Sequence, residues 1–236
     1  MGKYLTAVER AVFECAYAGC RSVWITAPFS VMPTLRKILG DYIVDPYRYF
    51  QLIKRDVPEK TIFKELRRVP VYYVPTNLYD IDRVSSLGWS AVNSAFYARK
   101  VCKKITKYLT PDKYYVSFPY GVYRPEDLMP HRKQLLDRKE RTTRIIISHN
   151  NKTVKNNEYL GFTFNNQELD EIRTHVFQSG KQVERVEEFE INNAKYKKRV
   201  GDWIAPEFGV GDVFSSLDFG NKDYVISVNS YYNIDT

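Results

Sequence analysis

Histidine and cysteine are scarce, three of each in 236 residues, and their scarcity closes off several chemistries. His131, His149 and His175 lie far apart and share no H-x-x-x-H or similar spacing, so a histidine-held metal is not expected. Cys15, Cys20 and Cys102 are odd in number, and C-x4-C plus one distant cysteine matches no zinc pattern. Two of them fall on apolar helical patterns and read as small hydrophobes, in a chain that folds reduced, inside a cell. No run of 18 apolar residues occurs and the first residues carry no signal core. The expectation is a soluble, cytoplasmic chain with no membrane partner. No G-x-S-x-G elbow, P-loop or paired Cys-His motif is present.

Tyrosine and positive charge are what the chain has. Nineteen Tyr and 13 Phe bring aromatics to 15%. Rings with a polar handle suit contact surfaces, and they suit a Tyr-rich core equally well. The formal charge of +8 favours acidic partners: nucleotides, nucleic acid or an anionic protein surface. Its densest stretches are "ARKVCKKITK" from Ala98, "HRKQLLDRKERTTR" from His131 and "KYKKR" from Lys195. Each is a candidate nucleic-acid contact and equally a solvated face. Glu187, Glu188 and Glu190 read as a solvated acidic edge rather than a catalytic acid pair.

Periodicity gives the fold class. Thr6 and Glu9 form a capping-box signature ahead of a helix whose apolar stripe runs through Val8, Val12 and Cys15 or Ala16, with Gly19 as its stop. "SVWITAP" reads as a strand, Ser30–Leu39 as a helix, "DYIVDP" as a short strand and "PEKTIFKELRR" as a helix. "VPVYYVPT" is a second firm strand. A long helix from Trp89 follows, its stripe running through Val92, Ala95, Val101 or Cys102, Ile105 and Leu109, and then the strand "KYYVSF". Three rounds of helix and strand predict an α/β fold with a mostly parallel sheet flanked by helices in three layers. Residues 1–130 would form this core, 131–144 a charged loop, and 145–236 a smaller α+β extension completing the sheet. In that extension "RIIIS", the turn "HNNKT", "YLGFTF", the helix "QELDEIRTHVFQ" and a last strand near "DYVISV" are expected.

In parallel α/β sheets ligands collect beyond the carboxyl ends of the strands. That rule nominates Thr76, Tyr120 and Gly121, and adds Gly88, Trp89 and Ser90 at the entry to the long helix. Gly88 would let a backbone approach closely, Ser90 would bind an anion, and Trp89 would stack on a base. The plain alternative makes Gly88 and Ser90 a turn and a cap, and Trp89 a core residue.

The order of these pieces over roughly residues 1–165 resembles the nucleotidyltransferase-like fold of sugar-nucleotide pyrophosphorylases and type A glycosyltransferases. It is also similar to nucleotidyltransferase-like proteins of tailed phages. Lys3-Tyr4-Leu5, the helix from Thr6, Ala18-Gly19, "SVWITAP", "SLGWSAVNSAF" and "KYYVSFPYG" fall where that family has its motifs. The resemblance implies a nucleoside triphosphate or nucleotide-sugar as ligand and Mg2+ as cofactor. Lys3 would sit on phosphate, and Asp80, Asp82 or Asp127 on the metal. Two departures stand out: the Gly-rich loop ahead of Lys3 is missing, and the strand-end acid is replaced by Phe118-Pro119-Tyr120-Gly121. Three functions therefore remain open: a nucleotidyltransferase, a non-catalytic binding or assembly module (virion-associated if phage-encoded), and a nucleic-acid-binding protein.

Overall fold

The computed structural model describes residues 6–76, 87–106, 110–136, 143–179, 181–191, 194–204, 208–220 and 223–235. The chain opens with helix α1 (Ala7–Ala18), strand β1 (Val23–Ala27), α2 (Met32–Leu39) and β2 (Tyr42–Val44). Helices α3 (Pro46–Lys54) and α4 (Glu59–Glu65), strand β3 (Arg68–Pro75) and the long helix α5 (Leu87–Ile105) follow. Next come β4 (Lys113–Val116), β5 (Gly121–Val122), a 3-10 segment Pro125–His131, α6 (Arg132–Leu136), β6 (Ile145–Ser148) and β7 (Phe162–Asn165). The remainder is α7 (Asn166–Gln178), β8 (Lys181–Ile191), β9 (Ala194–Ile204), α8 (Val210–Val213), β10 (Tyr224–Ser227) and β11 (Tyr232–Asn233).

Local chemistry explains several boundaries. Thr6 and Glu9 cap α1 reciprocally: the Thr6 hydroxyl accepts from the Glu9 amide at 3.2 Å and the Glu9 carboxylate from the Thr6 amide at 2.7 Å. Asn165 and Glu168 repeat the device on α7. Gly19 ends α1 at φ 94°, a left-handed conformation that glycine adopts without strain. Asp45 caps α3 ahead of Pro46.

The fold is α/β, and its sheets are mixed rather than mostly parallel. One sheet has the order β1-β3-β2, with β1 parallel to β3 and β2 antiparallel to it. A second has the order β10-β6-β7-β4; only β10 and β6 run parallel there. Helix–strand alternation fixes the kind of element but not the sheet it joins. The strand after α5 pairs with β7, not with β1 or β3, and the β6–β7 link contains no crossover helix of the kind a parallel return needs. Residues 145–236 therefore build a sheet with β4 instead of extending that of β1 and β3. Two-stranded pairs β5–β11 and β8–β9 complete the ladders among the described residues.

Two helices hold the sheets together. On one face of the second sheet, Tyr114, Val116, Phe162 and Phe164 pack with Val92 and Ala95 of α5, Leu169 and Ile172 of α7, and Val213 and Phe214. On the other, Ile145, Ile147 and Ile226 pack with Tyr17 and Ala18 of α1 and Leu135 of α6. The first sheet packs Val23, Val69, Val71 and Ile43 against Val12, Cys15 and Ala16 of α1, while its Trp24 leans on the α5 side. Each fully buried Phe or Leu in these cores contributes about 1.5–3 kcal/mol of apolar transfer. The expected α5 stripe is buried in its first half and fades in its second: Cys102 is half-buried, Val101 and Ile105 are exposed, and Leu109 lies outside the described residues.

The stretch 131–144 is not one charged loop. Arg132 starts α6 and is buried: its guanidinium donates to the Ala16 and Tyr17 carbonyls at 2.7 and 3.0 Å and pairs with Asp45 at 2.7 Å. Arg144 is likewise buried, donating to the Asp218 carbonyl at 2.8 Å and pairing with Glu168 and Asp223. A guanidinium with several fixed acceptors tolerates burial that an unpaired charge would not.

Candidate functional site

A cleft of about 420 Å³ opens at the start of α1, between Thr6, Ala7 and Arg10 on one side and Val122–Glu126 with Ser230 and Tyr232 on the other. The β5–β11 pair sets its far wall through Val122↔Tyr232 and Gly121↔Asn233. Gly121 is required there, because a side chain would run into the Tyr159 carbonyl.

Behind the cleft lies a buried polar knot absent from the sequence reading. Glu14 is fully buried, one helical turn after Arg10, and accepts four hydrogen bonds. Arg10 donates at 2.7 Å, the Tyr115 phenol at 2.5 Å and the Ser117 hydroxyl at 2.7 Å; the Tyr123 phenol is the fourth donor. Arg10 also donates to the Phe118 carbonyl at 2.6 Å and lies 5.0 Å over the Tyr123 ring. Four donors use up the acceptor sites of one carboxylate. Burial, then the Glu14 charge, holds the Tyr115 and Tyr123 phenols well above their ordinary range. Burial, the largest single influence, works against the charged Arg10, but Glu14, Tyr123 and Tyr115 together outweigh it and raise the guanidinium's pKa. The Glu14 carboxylate is thus saturated, while Arg10 Nε is buried without a hydrogen-bond partner; in sequence Arg10 and Glu14 show only the i,i+4 spacing of an ordinary surface pair.

Of the nominated residues that the structure describes, none lines the cleft. Lys3, Asp80 and Asp82 lie outside the described residues. Gly88 faces Val213 and Phe214, where an added Cβ would meet Val213 at 3.0 Å, so its small size serves the approach of α5 to α8. Trp89 is 6% exposed and edge-on to Phe177 at 5.7 Å, a core position rather than a stacking platform. Ser90 is half-buried within the first turn of α5, and the Thr76 amide donates to the Ala27 carbonyl at 3.0 Å. Tyr120 packs its ring 5.5 Å from Tyr159, and its carbonyl accepts from Ile234. Glu126 lines the cleft; Asp127, next to it, has a buried carboxylate oxygen without a hydrogen-bond partner. Among the described residues no three His, Cys, Asp or Glu side chains come together as a cation site.

The basic stretches fare differently from one another. Arg132 and Arg144 are spent on internal acids, as above. On α5, Lys100 lies 6.0 Å from the Phe96 ring centre and 5.8 Å from that of Tyr97, Arg173 stacks at 3.9 Å on Phe96, and Arg99 forms two hydrogen bonds with Asp170 at 2.9 and 2.6 Å. The cluster from Lys195 belongs to β9.

That strand belongs to the second feature sequence reasoning missed. β8 and β9 form an antiparallel hairpin of eleven residues a side, paired from Lys181↔Ile204 to Ile191↔Ala194. Each strand packs almost wholly against the other. Val186–Glu188, Glu190 and Lys195–Arg199 are all exposed. The available signal was Asn192-Asn193, a two-residue turn pair between two runs of β-compatible length.

The chain matches no family model, no curated protein and no solved structure. No helix among the described residues is long and apolar enough to cross a membrane.

Proposed function

We propose that the chain is a binding and assembly module: an α/β body that carries a charged hairpin arm by which it docks into a protein complex. The β8–β9 arm carries this reading. A two-stranded ribbon is marginal in water unless something packs on it, and its edges present unpaired amides and carbonyls that invite a further strand. This arm keeps eleven residue pairs with little support from the body among the described residues, and most of its exposed side chains are charged, Val186 and Tyr196 being the apolar ones. Pairing with a partner strand supplies what the ribbon lacks. Cross-linking through Lys195, Lys197 and Lys198 in material from the native source, read by mass spectrometry, tests it. Cross-links to another polypeptide are expected; links confined to the arm and its own body would defeat the reading.

A second reading keeps the nucleotidyltransferase-like kinship and puts a phosphorylated ligand in the cleft. Arg124 supports it: the residue lines the cleft, is exposed, and forms no ion pair among the described residues. Arg10 is committed to Glu14 and would act by fixing Tyr123 and the cleft floor. The three-layer arrangement of the transferase fold, with Mg2+ held by Asp80, Asp82 or Asp127, belongs to this reading alone. Calorimetry with a nucleoside triphosphate and with a nucleotide-sugar, each with and without Mg2+, decides it. Binding that Arg124→Ala weakens about tenfold is expected, the loss of one charge-assisted contact. No heat with either ligand removes the reading.

A further inference from the structure

The two strands of the arm differ in sign. β8 exposes Glu187, Glu188 and Glu190; β9 exposes Lys195, Lys197, Lys198 and Arg199. The ladder sets Glu190 opposite Lys195, Glu188 opposite Lys197 and Glu187 opposite Lys198. Lys197 closes to 2.7 Å on Glu188. Among the described residues neither outer edge is bonded to a third strand. The arm thus has two open edges, one acidic and one basic.

Charge on an edge strand ordinarily guards against sheet-to-sheet pairing. Here the guard acts only between like edges. An acidic edge against a second acidic edge, or basic against basic, sets like charges directly across the ladder, which is destabilising. The remaining combination, β8 of one copy against β9 of another, repeats the ladder already present within the hairpin. In that register Glu188 and Glu190 gain Lys197 and Lys195 of the next copy as cross-strand neighbours on the same face.

We propose that the arm joins this chain to further copies of itself, β8 of one copy pairing antiparallel with β9 of the next. The proposal rests on the assembly reading above and names its partner. Each copy uses two different edges, so the contact is heterologous. It generates a ring when the rotation per copy closes and a filament when it does not, never a two-fold dimer. Arms in such a series all point the same way and form one continuous antiparallel ribbon of alternating acidic and basic strands.

Sedimentation velocity on the purified full chain, over a concentration series at low salt and at about 0.5 M salt, provides the test. Species larger than a dimer are expected at low salt, with association weakened at least about tenfold at high salt. Lys195→Glu, Lys197→Glu and Lys198→Glu together make an arm with two acidic strands. Glu187→Lys, Glu188→Lys and Glu190→Lys together make one with two basic strands. Each variant alone should be monomeric, and the two mixed should associate. Single-strand reversal also loosens the internal ladder, so a third variant exchanges both sets at once; it restores the ladder and should assemble like the original. A chain monomeric under all conditions, an assembly indifferent to charge reversal, a closed dimer, or mixed variants that ignore each other would each overturn the proposal. So would an arm that binds a single-stranded oligonucleotide through β9 while the chain stays monomeric. If the chain is monomeric yet Lys195–Lys198 cross-link to a different polypeptide in native material, self-pairing fails and the assembly reading survives. If they cross-link to nothing outside the chain, both fall.

Discussion

Glu14 gathers donors from three places in the chain: Arg10 on its own helix, Tyr115 and Ser117 around the end of β4, and Tyr123 beyond β5. Removing the carboxylate strands a buried guanidinium and three hydroxyls at once. Glu14→Ala should cost about 3–5 kcal/mol, the usual toll of breaking one side of a buried pair, and urea denaturation reads it directly. Glu14→Gln keeps the volume and should lose less; equal losses would mean the charge is irrelevant. The same knot sets an alkaline limit. Tyr115 and Tyr123 are raised well above their ordinary range when folded, by burial first and Glu14 second. Tyr159 is pushed up to about 12 by burial and its bond to Asp235. The unfolded chain releases these protons near pH 10, the folded chain later. Their contribution is therefore complete below about pH 10 and lost as pH rises beyond it, at about 1.4 kcal/mol per pH unit for each of the buried Tyr115 and Tyr123 phenols and less for the solvent-screened Tyr159. Thermal melts from pH 8 upward should be level and then fall steeply; a melting temperature unchanged to pH 11 would contradict the burial of these rings.

Among the elements, the arm can be removed without touching the body. Lys181 and Ile204 are partners at its base, so a two-residue turn can replace 182–203. Because β8 and β9 pack almost wholly on each other, excision should shift the melting temperature by only a few degrees, corresponding to less than about 1 kcal/mol. A larger drop would show that the arm supports the body. Elements governed by local chemistry were legible in the sequence: α1 and α7 through their capping boxes, and β1, β3, β4, β6 and β7 through β-branched and aromatic runs. Those it hid were hidden for physical reasons. Runs of adjacent charges, Glu184-Arg185 and Glu187-Glu188 in β8 and Lys197-Lys198-Arg199 in β9, broke the alternation that marks a strand. Asp45-Pro46 announced α3, but Tyr47 to Phe50 gave it no clear apolar face. Sheet membership depends on pairings about 50 to 80 positions apart and the Glu14 knot on contacts about a hundred apart, which no local pattern encodes. The cleft was not legible: Val122–Glu126 line it, just beyond the nominated Tyr120 and Gly121, and Gly88 and Trp89 are buried elsewhere.

At the scale of the whole molecule, the charge of +8 gives less phosphate-binding surface than its size suggests, because Arg99, Arg132, Arg144 and Lys197 face acids. Among the described residues the basic face of α5, with Lys100 and Lys103, is one remaining candidate. Affinity for an oligonucleotide should therefore fall with salt at a slope of only about 2–3 phosphates. A slope near eight would show that the other stretches also contact nucleic acid. The cores bear on stability at this scale as well. Helices α1 and α5 each lean on both sheets, so neither sheet can lose its packing alone, and calorimetry should show a single transition.

The position of β4 carries that coupling into synthesis and repair. It is made with the first half of the polypeptide but hydrogen-bonds to β7 of the second. A chain interrupted within 137–142 would leave two pieces, each with an unfinished hydrophobic layer. Expressed apart, fragments 1–136 and 143–236 should be insoluble or molten; brought together, they should reconstitute the native spectrum by complementation.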